Sequence, residues 1–269
     1  MIEKIALAGL LIALGEFLLF YFSPPLKIQV VQPEVVVTQD RQIPTQIVQV
    51  PILIYHYVEY VKDERDTIRK SLSITPHVFE NQIKTLVKAK YHFITARALG
   101  EYLEGSKNLP QNPIILTFDD GYEDFYTDIF PILHKYHVVA TQYLISDFIN
   151  QPNYMSEEQI KEIRTSGLVE FGSHTMFHPN LASLDRDRAR KEIEKSKEKL
   201  EKLLSLPVVS FAYPYGGYND QTPKLVKDAG YKTAVSTKGG VKVGQENKYV
   251  LFRIHPRNRT GQDLLNALQ

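Results

Sequence analysis

The chain has 269 residues, with 32 Lys and Arg against 31 Asp and Glu, eight His, and neither Cys nor Trp. A net charge of +1 argues against binding to phosphate backbones through a global basic field, so no nucleic-acid partner is expected. The missing Cys excludes disulfides, thiolate nucleophiles, iron–sulfur clusters, Cys-ligated zinc and lipidated Cys, which leaves any metal to His and carboxylates.

In chain order, the first element is an apolar run over 5–22, broken only by Gly9, Gly15 and Glu16. Its 18 residues would span roughly 27 Å as a helix, close to the ~30 Å hydrocarbon core, so residues 1–22 are expected to be a transmembrane anchor. A signal peptide cleaved after the small pair Ala13 and Gly15 is the alternative, and a buried helix a third. Residues 23–50 carry prolines at 24, 25, 33 and 44 and few charges, which predicts an extended linker, with short β pieces open at 35–37 or 47–50.

From residue 51 to 269 short apolar runs alternate with helical patterns. Strands are expected at 52–55, 92–95, 114–118, 141–145, 168–171, 208–212, 233–236 and 250–254. Pro76 opens one helix, Ser156 with Gln159 starts another, and 185–204 is a long charged helix with an apolar stripe at Ile193, Leu200, Leu203 and Leu204. Such alternation implies an α/β fold with a parallel sheet, open or closed into a barrel.

Three motifs follow strand ends. Thr117-Phe118-Asp119-Asp120-Gly121 places two carboxylates where a strand stops. Neighbours there point in different directions, so one can hold a metal while the other faces a reacting water. An Asp-Asp-Gly turn capping a helix is the simpler alternative. His174-Thr175-Met176-Phe177-His178 sits between Gly172 and Pro179, where two imidazoles on one turn can converge on a cation; two surface His are the alternative. One carboxylate and two His would leave room for water and substrate, as a hydrolytic metal requires. Tyr213-Pro214-Tyr215-Gly216-Gly217 offers backbone N–H groups to an oxyanion, or is a plain turn.

The order of these motifs, preceded by Pro-Ile-Leu-Ile-Tyr-His at 51–56, resembles the polysaccharide deacetylase superfamily, the family-four carbohydrate esterases, over roughly 51–255. The resemblance implies a distorted (β/α) barrel of seven or eight strands and metal-dependent hydrolysis of acetyl groups from N-acetylated glycans. It makes Asp119 the catalytic base, Asp120, His174 and His178 the ligands of a divalent metal, zinc by ligand type, and Thr175 the brace of the His loop. The Tyr215 position would lend its backbone N–H to the oxyanion, with Tyr213, Gly216 and His56 at the substrate. Tyr55-His56 is similar to the subgroup acting on poly-N-acetylglucosamine.

Three departures stand out. Many members carry an Arg in the third motif where this chain has Ala212; Arg253, on the last expected strand, could supply a guanidinium instead. The Trp usual in the fourth motif is missing. The fifth motif, usually Leu-x-His, is Arg253-Ile254-His255, which makes His255 the candidate general acid and His56 its competitor. Tyr57, Tyr122 and Tyr218, with Tyr213, are candidate linings of a sugar groove, and His77, His92, His134 and His137 are read as structural. The sequence-level expectation is a membrane-tethered extracytoplasmic deacetylase, or a secreted one if the leader is cleaved. A catalytically silent glycan-binding module and an O-acetyl esterase are the rivals.

Overall fold

The computed structural model describes residues 43–63 and 65–269. The expected anchor and most of the expected linker lie outside the described residues. No helix among the described residues is long and apolar enough to cross a membrane.

The centre is a seven-stranded parallel sheet. Its strands are β2 (Ile52–Tyr55), β5 (His92–Ile94), β6 (Pro113–Phe118), β7 (Ala140–Leu144), β8 (Val169–Ser173), β9 (Ser210–Ala212) and β10 (Thr233–Val235). They run in the order β10-β9-β8-β7-β6-β2, with β5 also paired to β6. Two small pairs complete the set: β1 (Val48–Gln49) is antiparallel to β11 (Lys242–Val243), and β3 (Tyr57–Val58) is parallel to β4 (Ser73–Ile74). The described end of the expected linker therefore joins the folded body at β1, and Val50 behind it is fully buried.

Seven of the eight expected strands form close to their expected positions. The eighth, 250–254, is not a regular strand. It touches the sheet through single bridges, Leu251 to Val235 of β10 and Ile254 to Leu53 of β2. Paired backbone bonds accompany them, Leu251 N–H to Ala234 O at 2.8 Å and Ile254 N–H to Ile52 O at 2.8 Å. The sheet is thus curled, and among the described residues its strands β10 and β2 are joined only by this spaced segment.

Both sheet faces are buried, which is why the strands read as near-continuous apolar runs. Side chains alternate between two cores. Leu53, Leu116, Phe118, Phe171 and Phe211 pack in the larger core with the helices. Ile52, Ile115, Tyr143, Ala212, Val235 and Leu251 form a smaller one, closed by Leu99 and Leu103 of α3 (Ala96–Leu103). The helices α1 (Thr67–Leu72) and α2 (Pro76–Lys88) precede it. Pro76 is the first residue of α2 and Thr75 caps it; Phe79, Ile83 and Leu86 form its buried face.

A π-helix at Phe125–Ile129 leads into α4 (Phe130–Tyr136). α5 (Glu157–Thr165) begins with the Ser156–Gln159 capping box, both bonds formed. α6 (Arg186–Leu204) is capped by Asp185 and buries Ala189, Ile193, Ser196, Leu200 and Leu204, while Leu203 lies at the edge of that stripe. Two short helices, α7 (Thr222–Asp228) and α8 (Gly261–Asn266), complete the chain.

Candidate metal centre and active site

The expected site residues follow the carboxyl ends of β2, β6, β8 and β9, the face on which parallel α/β folds carry their chemistry. Ile115 faces the inner core, and the two-residue period carries Thr117 and Asp119 toward the same side. Asp120 then leaves the strand with φ 75° and Gly121 with φ 87°. A Cβ at Gly121 would stand 2.8 Å from Leu144 Cδ2, so the turn behind the acids requires glycine. Three more non-glycine residues of the site adopt positive φ: Thr175 at 68°, His178 at 59° and Tyr215 at 59°. Such conformations persist only where surrounding contacts over-determine them.

Asp120, His174 and His178 converge, with candidate ligand atoms all within 4.8 Å of one another. His174 Nε2 lies 3.4 Å and His178 Nε2 3.3 Å from Asp120 Oδ1, and the two Nε2 atoms are 3.2 Å apart. Donors at the corners of a tetrahedron with bonds of about 2.05 Å stand about 3.3 Å apart, so the spacing suits a small divalent cation. Asp120 Oδ1 is buried and accepts no hydrogen bond. His174 Nδ1 is 2.8 Å from the Ala212 carbonyl; donation there leaves its Nε2 lone pair directed inward. Lone pairs facing each other at this range repel unless a cation or proton lies between them, so the residues fit a divalent metal.

The electrostatics differ between the two imidazoles: burial acts to lower His174, but its contact with Asp120 and the Asp119 and Asp120 charges outweigh it and raise it. Burial pushes His178 down to about 4, with the neighbouring His174 adding to the effect, so His178 is neutral near pH 7, as a ligand must be. Burial acts to raise the Asp120 carboxyl, but His174 and the other His outweigh it and hold it low.

The His loop is braced from two sides. Thr175 Oγ1 accepts the His178 N–H at 3.0 Å, and one carboxylate oxygen of Glu192 on α6 accepts the N–H groups of Met176 at 2.9 Å and Phe177 at 3.0 Å. Glu192 was not among the expected site residues, because nothing in a helix dense with charge distinguishes it.

Arg253 is the structure's answer at the Ala212 position. It is fully buried and forks onto Asp119, Nη1 to Oδ1 and Nη2 to Oδ2, each at 2.7 Å. Its Nε donates to Ser236 O at 2.7 Å and Nη1 also to Thr117 Oγ1 at 3.1 Å. Burial alone would raise the Asp119 carboxyl; the Arg253 charge, then His174, reverses this and holds it well below the usual carboxylate range. A bidentate pair fixes direction as well as charge. Thr117 and Ser236 were also missed, since only folding brings them beneath Arg253.

His56 and His255 lie on the wall of a cavity of about 520 Å³ shared with Tyr57 and Arg257. His255 is exposed, His56 half-buried. Both are lowered from the usual histidine range, chiefly by burial; Asp119 and Asp120 oppose the shift at His56, and Arg253 adds to it at His255.

Two expected substrate contacts are corrected. Tyr213 is fully buried in the larger core, with its hydroxyl donating to Tyr249 O at 2.9 Å and its ring packed on Phe211 and Tyr218, so its side chain cannot reach a sugar. Gly216 donates its N–H to Tyr213 O at 2.8 Å, so that N–H is not free for an oxyanion, and at φ 67° a Cβ there would meet Thr237 Oγ1 at 2.1 Å. Tyr215 is 68% exposed, its ring 4.6 Å from that of His178. Tyr57 stacks on Tyr122 at 4.0 Å, and Tyr122 meets Tyr154 at 5.0 Å. His77, His92, His134 and His137 are not in the converging group.

Comparison with known proteins matches residues 106–234 to the family model described as polysaccharide deacetylase. YxkH of Bacillus subtilis is 30% identical over 204 residues, 76% of this chain and 70% of YxkH. The poly-β-1,6-N-acetyl-D-glucosamine N-deacetylase of Staphylococcus aureus strain MRSA252 is 30% identical over 198 residues, 69% of this chain and 68% of its own. Among solved structures, the Streptococcus pyogenes deacetylase PplD in complex with acetate superposes with a TM-score of 0.77 at 29% identity, covering 83% of this chain and all of PplD. The fold, the three motifs in order and these likenesses agree: this chain belongs to the polysaccharide deacetylase family.

Proposed function

We propose that the protein hydrolyses the acetamide of N-acetylglucosamine units in a polysaccharide of the cell envelope. The observation that carries this reading is a base locked by a buried guanidinium, Asp119 with Arg253, beside a carboxylate oxygen and two imidazole nitrogens turned toward one point. A divalent cation held by Asp120, His174 and His178, zinc by donor type, would polarise the acetyl oxygen and acidify water. Asp119 takes the proton of the water whose oxygen attacks the acetyl carbon, and Arg253 keeps its carboxylate ionised and aimed. The Tyr215 backbone N–H donates to the developing oxyanion. As the carbon–nitrogen bond breaks, His255 delivers a proton to the nitrogen, with His56 beside it on the same wall. Acetate and a primary amine leave, and the amine is an ammonium at neutral pH.

The poly-N-acetylglucosamine substrate rests on Tyr55-His56 and on the S. aureus relative's name. Attachment to the membrane, with the catalytic body outside the cytoplasm, rests on the apolar run over 5–22; release after cleavage is the alternative. Incubation of the full chain with N-acetylglucosamine oligomers and with O-acetylated xylan, with and without chelator, tests the chemistry. Chelator-sensitive acetate from the oligomers is expected. Acetate from xylan alone would make it an esterase, and retained binding without release a glycan-binding module.

A further inference from the structure

The segment that carries His255 has little side-chain packing to hold it. His255 and Arg257 are exposed and line two cavities of about 520 Å³ each, the one shared with His56 and another bounded by Thr237, Arg253 and Arg259. With open space against both side chains, their placement depends on the backbone beneath them. That backbone is itself in an unfavourable state, since Arg257 adopts φ 52°, in the left-handed region. Such a conformation persists only where surrounding bonds hold it.

The bonds come from α2. Gln82 is fully buried on the inner face of this helix, among Phe79, Ile83 and Leu86. Its Nε2 donates to Arg257 O at 2.7 Å and to Arg259 O at 2.8 Å, and its Oε1 accepts the Tyr55 hydroxyl at 3.0 Å. Both N–H groups and the oxygen of the amide are therefore engaged. Tyr55 is fixed in turn, with Phe118 stacked at 5.0 Å and Phe79 edge-on at 5.3 Å. One turn further along α2, Thr85 Oγ1 accepts the Gly261 N–H at 3.2 Å, while Arg259 Nη1 folds back to His255 O at 3.1 Å. An amide buried in an apolar stripe carries a desolvation cost that an aliphatic side chain would not, so its bonds have to be made. What they join is specific: β2, which His56 follows, and the segment that begins at His255.

We propose that Gln82 is a positioning residue for the reaction: through the carbonyls of Arg257 and Arg259 it sets where the His255 imidazole stands relative to Asp119 and the metal ligands, with Tyr55 orienting the amide. Gln82 touches no substrate and acts through the loop alone. This inference rests on the deacetylase reading above, in which His255 is the proton donor.

Two measurements on the full chain test it. In acetate release from N-acetylglucosamine oligomers, Q82M, which keeps the length of the side chain and removes its three bonds, is expected to lower kcat about tenfold with KM nearly unchanged, since a displaced donor costs rate rather than binding. In the H255A background the same substitution should cost nothing more. In NMR spectra of protein carrying ring-labelled histidine, the His255 signal, assigned by its loss in H255A, is expected to shift or broaden in Q82M while those of His174 and His178 stay in place. A Q82M protein with lowered stability but the unmodified kcat would reduce Gln82 to packing and overturn the proposal. So would a loss that multiplies in full with that of H255A, or an unmoved His255 signal. Should Q82M fail to fold, Y55F, which leaves both Gln82 N–H bonds in place, carries the same test with smaller expected changes, and no change in either readout would overturn the proposal. If the unmodified chain releases no acetate, the deacetylase reading fails, and the His255 signal alone decides whether Gln82 places that ring.

Discussion

Two parts of the candidate site are built differently. Around the proposed base and metal ligands, Asp119 is held by Arg253, His174 by the Ala212 carbonyl, and the His178 loop by Thr175 and Glu192. His56 and His255, by contrast, line an open cavity with Tyr57 and Arg257, His255 exposed and His56 half-buried. A base and metal ligands must hold one geometry, and buried, multiply bonded side chains lose little further entropy in doing so. A proton donor to a departing amine must meet a bulky glycan and let it go, which suits an accessible wall. Departures from the family pattern therefore have different consequences: the missing motif-three Arg is replaced in space by Arg253, whereas no Trp exists to replace the other.

The largest effect is expected at Asp119. D119N keeps the shape and removes the base, and acetate release from N-acetylglucosamine oligomers is expected to fall by about 10³-fold or more, within the range for a positioned general base. Full activity would remove Asp119 from the mechanism. Next comes R253M, which leaves a buried carboxylate unpaired: about 3–5 kcal/mol of stability should be lost in chemical denaturation, together with most of the activity. Unchanged stability would show that Asp119 does not depend on the pair.

On the open wall effects should be smaller. H255A is expected to lower kcat by about 10²-fold with little change in thermal stability, and H56A by less. The reverse order would transfer the acid role to His56. The smallest effect is expected for E192Q, which keeps an acceptor for the Met176 and Phe177 N–H groups but loses its charge. It should cost roughly 1 kcal/mol and weaken metal retention, followed by dialysis against chelator. Unaltered retention would limit Glu192 to a cap for the loop.

Much of the fold was legible because its signals are local. Strand β2 forms over 52–55 as its apolar run predicts, Pro76 opens α2, and Ser156 with Gln159 opens α5, since alternation and capping act within a few residues. The stripe of α6 was placed correctly at Ile193, Leu200 and Leu204, and completed by Ala189 and Ser196, residues too small or polar to stand out. The last expected strand failed as a strand, because only Leu251 and Ile254 meet the two sheet edges.

In the site, sequence reasoning placed Asp119, Asp120, His174 and His178 at strand ends, and the structure brings the last three together. Tyr213 illustrates the opposite case: a tyrosine after a strand looks the same in sequence whether it faces a sugar or the core, and only its bond to Tyr249 and its packing on Phe211 show which.

The sequence by itself determined the elements, their caps, the parallel α/β class and the chemistry available at the strand ends, because periodicity, turn residues and donor types are properties of short stretches. Only the tertiary structure decided that Arg253 reaches Asp119 across 134 residues and that Glu192 ties down the His loop. Those pairings depend on strand order and on how far the sheet curls, and no local interaction energy encodes either.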